Sequence, residues 1–263
     1  MIQEQTSLSH QERKLILSLH RAKGRREHQL FVAEGPKLIE ELSEAFRCRL
    51  LITTPSMWQT FSQSPTIAKV ILLPESYDFS AISSLQTPRS MIALFELPAP
   101  QEEEPPIERM SLLLDNVQDP GNVGSILRTC DWFGIRQIFV TMGTADIFSP
   151  KVVQATMGGL ARVKVSYVVD IDTFMQKLER EKVPVWGTFL KGINLLKSHA
   201  PLPLPTTPSL WVMGNEGNGI SNQIAKYITH SVTIPAQTPD GHHAESLNVA
   251  VATAIVVARC FIS

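Results

Sequence analysis

Apolar residues run along this chain in two alternating patterns. Short runs rich in β-branched and aromatic residues read as strands, and stretches with apolar positions three and four apart read as helices between them. In the first hundred residues the spacing predicts a helix from Ser9 to Arg26 and a strand at QLFVAE, which turns through Gly35 and Pro36 into the amphipathic helix PKLIEELSEAF. Strands follow at LLITT, KVILLP and SMIALFEL. The next segment, PAPQEEEPPIER, holds too many prolines and glutamates to form a packed element and favours an extended spacer. Beyond it SLLLDNV, RQIFVTM, RVKVSYV, PVWGTFL, SLWVMG and SVTIP read as strands. Helical stretches at NVGSILRTCDWF, SPKVVQATMGGL and IDTFMQKLEREK lie between several of them. The alternation predicts an α/β protein with a small α/β domain over residues 1–97, a linker over 98–109, and a mostly parallel sheet covered on both faces over 110–263.

The chain has 263 residues, of which 43% are hydrophobic, enough for one large or two modest globular domains. A formal net charge of −1 leaves no bulk signal for a nucleic-acid partner, so a footprint for one has to be local. Arg13, Lys14, Arg21, Lys23, Arg25 and Arg26 form one candidate, with His20 and His28 nearby and Glu27 the opposing carboxylate. The same cluster also suits a solvated helix face. Cys48, Cys130 and Cys260 are far apart and odd in number, which argues against a disulfide framework and for a reducing compartment. The N-terminus lacks the apolar core of a signal peptide, and no run reaches the length of a membrane span, so a cytoplasmic protein without membrane contact is expected.

Three segments combine a polar or glycine turn with an apolar element. In DPGNVGSILRTCDWFGI, Pro120 and Gly121 turn the chain after a strand, and Asn122 stands where a helix N-cap would be. The helix that follows offers Ile126, Leu127, Cys130 and Phe133 as one buried stripe, with Arg128 at its flank, where a guanidinium can fork onto a phosphate or carboxylate. Taken alone, the segment is better explained by a cap and a surface arginine; it points to a ligand only in company with the other two. VMGNEGNGIS sets three glycines around Glu216, so that backbone amides can approach a ligand without Cβ interference; a plain loop is the alternative. In ESLNVAVATAIV the polar side chains after Leu247 are Asn248 and Thr253, so the helix is apolar nearly all round and needs burial on several sides, a subunit interface among the options. Ser246 and Asn248 at its start are polar groups that need partners.

In this order the three segments resemble the motifs of the SpoU/TrmH family of RNA ribose 2′-O-methyltransferases. The similarity reaches the first domain, where RKLILSLHRAKGRREHQLFVAEGPKLIEEL and LQTPRSMIAL resemble the family's RNA substrate-binding domain. It implies a catalytic set of Asn122 and Arg128 from the first motif, Glu216 from the second, and Ser246 and Asn248 from the third. It further implies S-adenosyl-L-methionine as cofactor, held by Gly214, Ile234 and Leu247 with Thr188 in support. A deep trefoil knot in the C-terminal part and a homodimer built around it are implied too. The expected partner is RNA, ribosomal in preference to transfer RNA, and not DNA. Arg128 aligns a phosphate more readily than it accepts a proton, because a guanidinium holds its proton too tightly to act as a base, whereas Glu216 is chemically suited to take one. The sequence departs from the family at Ala236 to Glu245, a longer loop carrying His242 and His243, which suits either a substrate contact or a solvated insertion. No third ligand stands at metal-binding spacing, and none is expected. Two other functions fit parts of the sequence: a non-catalytic RNA-binding protein that retains the fold, and a nucleotide-binding enzyme unrelated to RNA, which leaves the basic segment without a role.

Overall fold

The computed structural model describes residues 1–61, 67–99, 104–197, 202–238 and 244–262. The chain forms two compact units: Met1–Pro100 with Asp146–Arg162, and Gln101–Ala145 with Val163–Ser263.

The first unit contains β1 (Ile2–Glu4), α1 (His10–Ser18), α2 (Ala22–His28), β2 (Leu30–Glu34), α3 (Pro36–Leu42), β3 (Cys48–Thr53), α4 (Pro55–Thr60), β4 (Val70–Leu72) and β5 (Met91–Glu96). Its five strands lie in the order β1-β4-β3-β5-β2, with β1, β4 and β3 parallel and β5 antiparallel to both β3 and β2. The helix expected from Ser9 to Arg26 is two helices. Ser9 caps α1 in a reciprocal box with Glu12, and the chain turns at Leu19–Arg21 before α2. The turn is tight because Gly24 packs on the Ser18 carbonyl, which an added Cβ would meet at 2.1 Å. Turning places Ile16 and Leu19 with Leu30, Val32, Leu50, Ile52, Ile92 and Leu94 in one core.

The segment 146–162, expected with the C-terminal domain, groups instead with this unit. Its Phe148 ring lies 5.1 Å from that of Phe31 and 6.3 Å from that of Phe46. Arg25, only 4% exposed, forks onto Asp146 through Nε at 3.2 Å and Nη2 at 2.5 Å, and its Nη1 donates to the Leu19 carbonyl at 2.7 Å. Arg162 pairs with Glu41. One member of the basic cluster, Arg25, is therefore a buried structural residue and is not available to a phosphate. Arg13, Lys14, Arg21, Lys23 and Arg26 are exposed.

The second unit contains β6 (Met110–Leu114), α5 (Pro120–Trp132), β7 (Gln137–Thr141), β8 (Lys164–Val168), α7 (Ile171–Arg180), β9 (Val185–Asn194), β10 (Ser209–Met213), α8 (Asn222–Ala225), β11 (His230–Thr233) and α9 (Val249–Phe261); α6 (Pro150–Ala155) belongs to the segment described above. Its sheet has the order β11-β9-β10-β6-β7-β8 and every pairing is parallel. Residues 104–109, expected as spacer, are anchored here: Ile107 lies in the core, and the carbonyls of Glu104 and Pro106 accept from Lys177 and Gln137.

The strand order places the site. From β6 the chain steps through β7 to β8, then crosses back to β9, and right-handed crossovers that reverse direction put their helices on opposite faces. Accordingly α7 packs through Phe174, Met175 and Leu178 on Leu113, Phe139, Val185, Leu210 and Val212, while α5 pairs with α9. The reversal brings β6 and β10 side by side in register, Leu114 against Met213, so the first two motifs leave the carboxyl ends of neighbouring strands.

Candidate active site

At the end of β6 the chain turns and Asp119 caps α5, its side chain accepting from the Asn122 backbone N–H at 2.8 Å, with Pro120 in the first turn. The cap is thus three residues earlier than expected, and Asn122 lies inside the first turn of the helix with its side chain free to point away. That side chain donates through Nδ2 to Glu216 Oε1 at 2.6 Å. It accepts in turn from Asn248 Nδ2 at 2.9 Å. Asn248 is the cap of α9, and its Oδ1 accepts from the N–H groups of Ala250 and Val251 at 3.0 and 3.3 Å.

One continuous relay therefore runs Asn248 to Asn122 to Glu216, with a member from each motif. Its direction is fixed at both ends. The α9 N–H groups hold Asn248 Oδ1 as acceptor, which leaves Nδ2 to donate, and Glu216 as carboxylate can only accept. Two helix N-termini meet at this relay, and the partial positive charge of each favours a carboxylate there.

The turn bearing Glu216 is built on Gly214. A Cβ there would lie 2.3 to 2.6 Å from backbone atoms of Gly219 and Ile220, so the glycine lets the turn close on itself. Asn215 and Gly219 exchange backbone hydrogen bonds at 2.9 Å, and Asn215 Oδ1 accepts from the N–H groups of Gly217 and Asn218. Gly219, at φ +68°, faces open space, since an added Cβ there meets nothing within 4 Å.

The remaining expected residues lie around this centre to different degrees. Leu247, between Ser246 and Asn248, is 48% exposed and leaves apolar surface uncovered beside the relay. Ser246 is exposed. Thr188 on β9 reaches the carbonyl of Val212, two residues before Gly214, at 3.5 Å, and Ile234 is half-buried just past β11. Arg128 is exposed on α5, and its side chain makes no hydrogen bond or ion pair among the described residues. The structure does not bring it into contact with the relay. Ala236 to Thr238 and Ala244 to Glu245 are the described ends of the third loop, whereas His242 and His243 lie outside the described residues. Among the described residues no group of His, Cys, Asp and Glu could hold a metal ion.

The model of the SpoU rRNA methylase family matches residues 109–258, more than half of the chain. The chain belongs to that family. A second model, the MRM3-like substrate binding domain, matches residues 11–93. Among relatives of this SpoU protein, the 23S rRNA (guanosine(2553)-2′-O)-methyltransferase RlmP of Bacillus subtilis is 32% identical over 241 residues, with 91% of each chain covered. A TrmH-family structure from Porphyromonas gingivalis superposes with a TM-score of 0.89 at 46% identity, covering 97% of this chain and 99% of that one. An AdoMet-bound rRNA methyltransferase from Sinorhizobium meliloti gives a TM-score of 0.81 at 29% identity, with 98% and 97% covered.

Outside the relay, this SpoU protein has supporting residues that the three motifs did not single out. Asp115 and Asn116 at the end of β6 and Asn215 beside Glu216 are polar residues at strand ends. Their signal was present as DN and GN in the sequence, but polar residues after a strand are also the commonest turn formers.

Proposed function

We propose that the protein transfers a methyl group from S-adenosylmethionine to a ribose 2′-hydroxyl of ribosomal RNA. The observation that carries the reading is the relay Asn248–Asn122–Glu216, which fixes a carboxylate oxygen at the carboxyl edge of a parallel sheet. The family membership and the rRNA 2′-O-methyltransferase named among the relatives support the substrate class.

The residues present fit an adenosyl cofactor. Leu247 offers uncovered apolar surface, the turn at Gly219 leaves backbone without side-chain cover, and Gly214 and Ile234 directly follow strands β10 and β11, with Thr188 inside β9 between them. These are the residues that would hold it, and the relative with AdoMet bound has the same fold. When bound, the cofactor supplies an electrophilic methyl group whose sulfonium leaving group needs little further activation.

The chain's own residues then have three tasks. They orient the ribose, remove the 2′-hydroxyl proton and keep the groups in line, since positioning accounts for most of the acceleration available to such a transfer. Glu216 is the proton acceptor: Asn122 occupies Oε1, leaving Oε2 for the hydroxyl proton. Asn122 and Asn248 hold that carboxylate in place. Arg128, exposed and unpaired among the described residues, clamps the phosphate beside the reacting nucleotide, and Ser246 on the approach to α9 contacts the RNA. Arg13, Lys14, Arg21, Lys23 and Arg26 in the first unit bind flanking phosphates.

The assembly we propose is a homodimer with a trefoil knot, in the cytoplasm. Among the described residues no helix is long and apolar enough to cross a membrane. The apolar helix α9 buries Val249, Val256, Val257 and Cys260 within its own unit yet leaves Val251 half-exposed, and Trp132 on its neighbour α5 is 85% exposed. A second copy covers that surface. The knot is supported by the strand order, in which β10 lies between β6 and β9 and the chain then returns through β11 to pack α9 on α5.

The experiment is a transfer assay with labelled cofactor and ribosomal RNA from cells lacking the gene. Wild-type protein should label the RNA, Glu216→Gln should lower kcat at least about a hundredfold, the range of a lost general base, and cofactor affinity by calorimetry should change little. Failure of the wild-type protein to bind the cofactor at millimolar concentration would point to the non-catalytic RNA-binding alternative.

A further inference from the structure

Asp115 is 1% exposed at the end of β6, and no cation pairs with it among the described residues. Isolated burial of a carboxylate is strongly unfavourable, so its partners have to be hydrogen-bond donors. Two are present. The Ser221 backbone N–H donates to Oδ2 at 2.6 Å, and the Asn116 side-chain Nδ2 donates to Oδ1 at 2.9 Å. Asn116 is itself in the left-handed region at φ 55°, held there by its backbone N–H on Thr141 Oγ1 at 2.9 Å. Its carbonyl accepts from Asn215 Nδ2 at 2.8 Å.

These bonds tie both ends of the Glu216 turn to one point. Asn215 lies immediately before Glu216 and is bound to the Asn116 carbonyl; Ser221 lies at the other end of the turn and is bound to Asp115. The Asp115 backbone N–H is bonded as well, to the Met213 carbonyl at 2.9 Å. We infer that Asp115 and Asn215 are positioning residues for methyl transfer, which clamp the turn of residues 214–221 to the end of β6 and so set the Glu216 carboxylate against Asn122. Neither residue touches the relay directly; each acts through the turn. A carboxylate suits the place because both of its oxygens accept, and the two donors it receives come from different segments. An amide there satisfies one donor and opposes the other. The inference rests on the methyl-transfer reading of this site.

The test uses the full-length protein and three substitutions, with kcat measured at saturating RNA and cofactor, KM for RNA, and cofactor Kd. Asp115→Asn removes one acceptor. Asn215→Asp keeps the acceptor for Gly217 and Asn218, replaces the donor to the Asn116 carbonyl by an oxygen that repels it, and adds a negative charge beside Glu216. Each should lower kcat about tenfold or more with KM for RNA within about twofold. Asp115→Asn combined with Glu216→Gln should be no slower than Glu216→Gln alone, because the clamp acts through the group already removed. Losses that multiply in the double variant, or that vanish when rates are corrected for the folded fraction, would overturn the inference in favour of a role in stability alone. Should Glu216→Gln by itself leave kcat unchanged, the proton-acceptor assignment falls, and the clamp is then read from the cofactor: an Asp115→Asn Kd raised about tenfold sustains it through Gly214, and an unchanged Kd overturns it.

Discussion

Asn122 uses one amide for two bonds, accepting from Asn248 and donating to Glu216, so its chemistry and not its size is what the site requires. Asn122→Asp is nearly isosteric but turns the donor facing Glu216 into a second carboxylate, and like charges in contact repel. We expect it to lower kcat more than Asn122→Ala, as measured by single-turnover transfer; equal losses would mean that the amide only fills space. His20 gives a second prediction. Burial lowers its pKa from the ordinary 6.5, with nearby Glu34 opposing the shift, so the folded protein resists a proton that the unfolded chain accepts. Stability is therefore full above about pH 6.5 and falls as pH drops below it toward the folded value. Melting temperature measured from pH 7.5 to 5.5 should decline, and His20→Gln should flatten the decline; an identical slope in the variant would contradict it. At this scale the sequence singled out Asn122, Glu216 and Asn248 by residue type and place, but not that they touch. Contact between residues 94 and 126 positions apart depends on the strand order, which periodicity does not encode.

The two helices that meet at the site are built alike, each of 13 residues and each capped by a side chain that sets a relay member. Shifting the α5 cap from Asn122 to Asp119 is a small change in boundary with a large consequence, because a capping Asn122 would spend its oxygen on the helix. Asp119→Ala should cost about 1 kcal/mol of stability, the usual value of an N-cap, in chemical denaturation. Most strand positions were legible because each carries a compact apolar run. The break between α1 and α2 was not, since the apolar spacing continues through Leu19 and the break depends on Gly24 meeting the Ser18 carbonyl. Segment 146–162 was illegible for a similar reason: its apolar pattern predicts burial but not the surface that buries it. Asp146→Ala leaves the Arg25 guanidinium buried and unpaired, which should cost about 3 kcal/mol. An unfolding free energy within about 0.5 kcal/mol of wild type, a surface-substitution effect, would show that the pair contributes little.

For the whole molecule, a formal net charge of −1 gives no bulk sign of the RNA surface proposed for the first unit. Replacing Arg21, Lys23 and Arg26 together should weaken RNA binding and reduce the salt slope by about 2 to 3, near one per lost phosphate contact. Arg25 is excluded from that set because its loss would act through folding. Light scattering at micromolar concentration should give a dimer; a monodisperse monomer would contradict the assembly proposed from α9 and Trp132. The proposed function stands on what is methylated. Nucleoside mass spectrometry of ribosomal RNA from cells with the gene, without it, and with Glu216→Gln in its place should show one 2′-O-methylated nucleotide that is present in the first and lost in the other two. Retention of every ribose methyl group in the strain without the gene, or a missing methyl group located on a base, would contradict it.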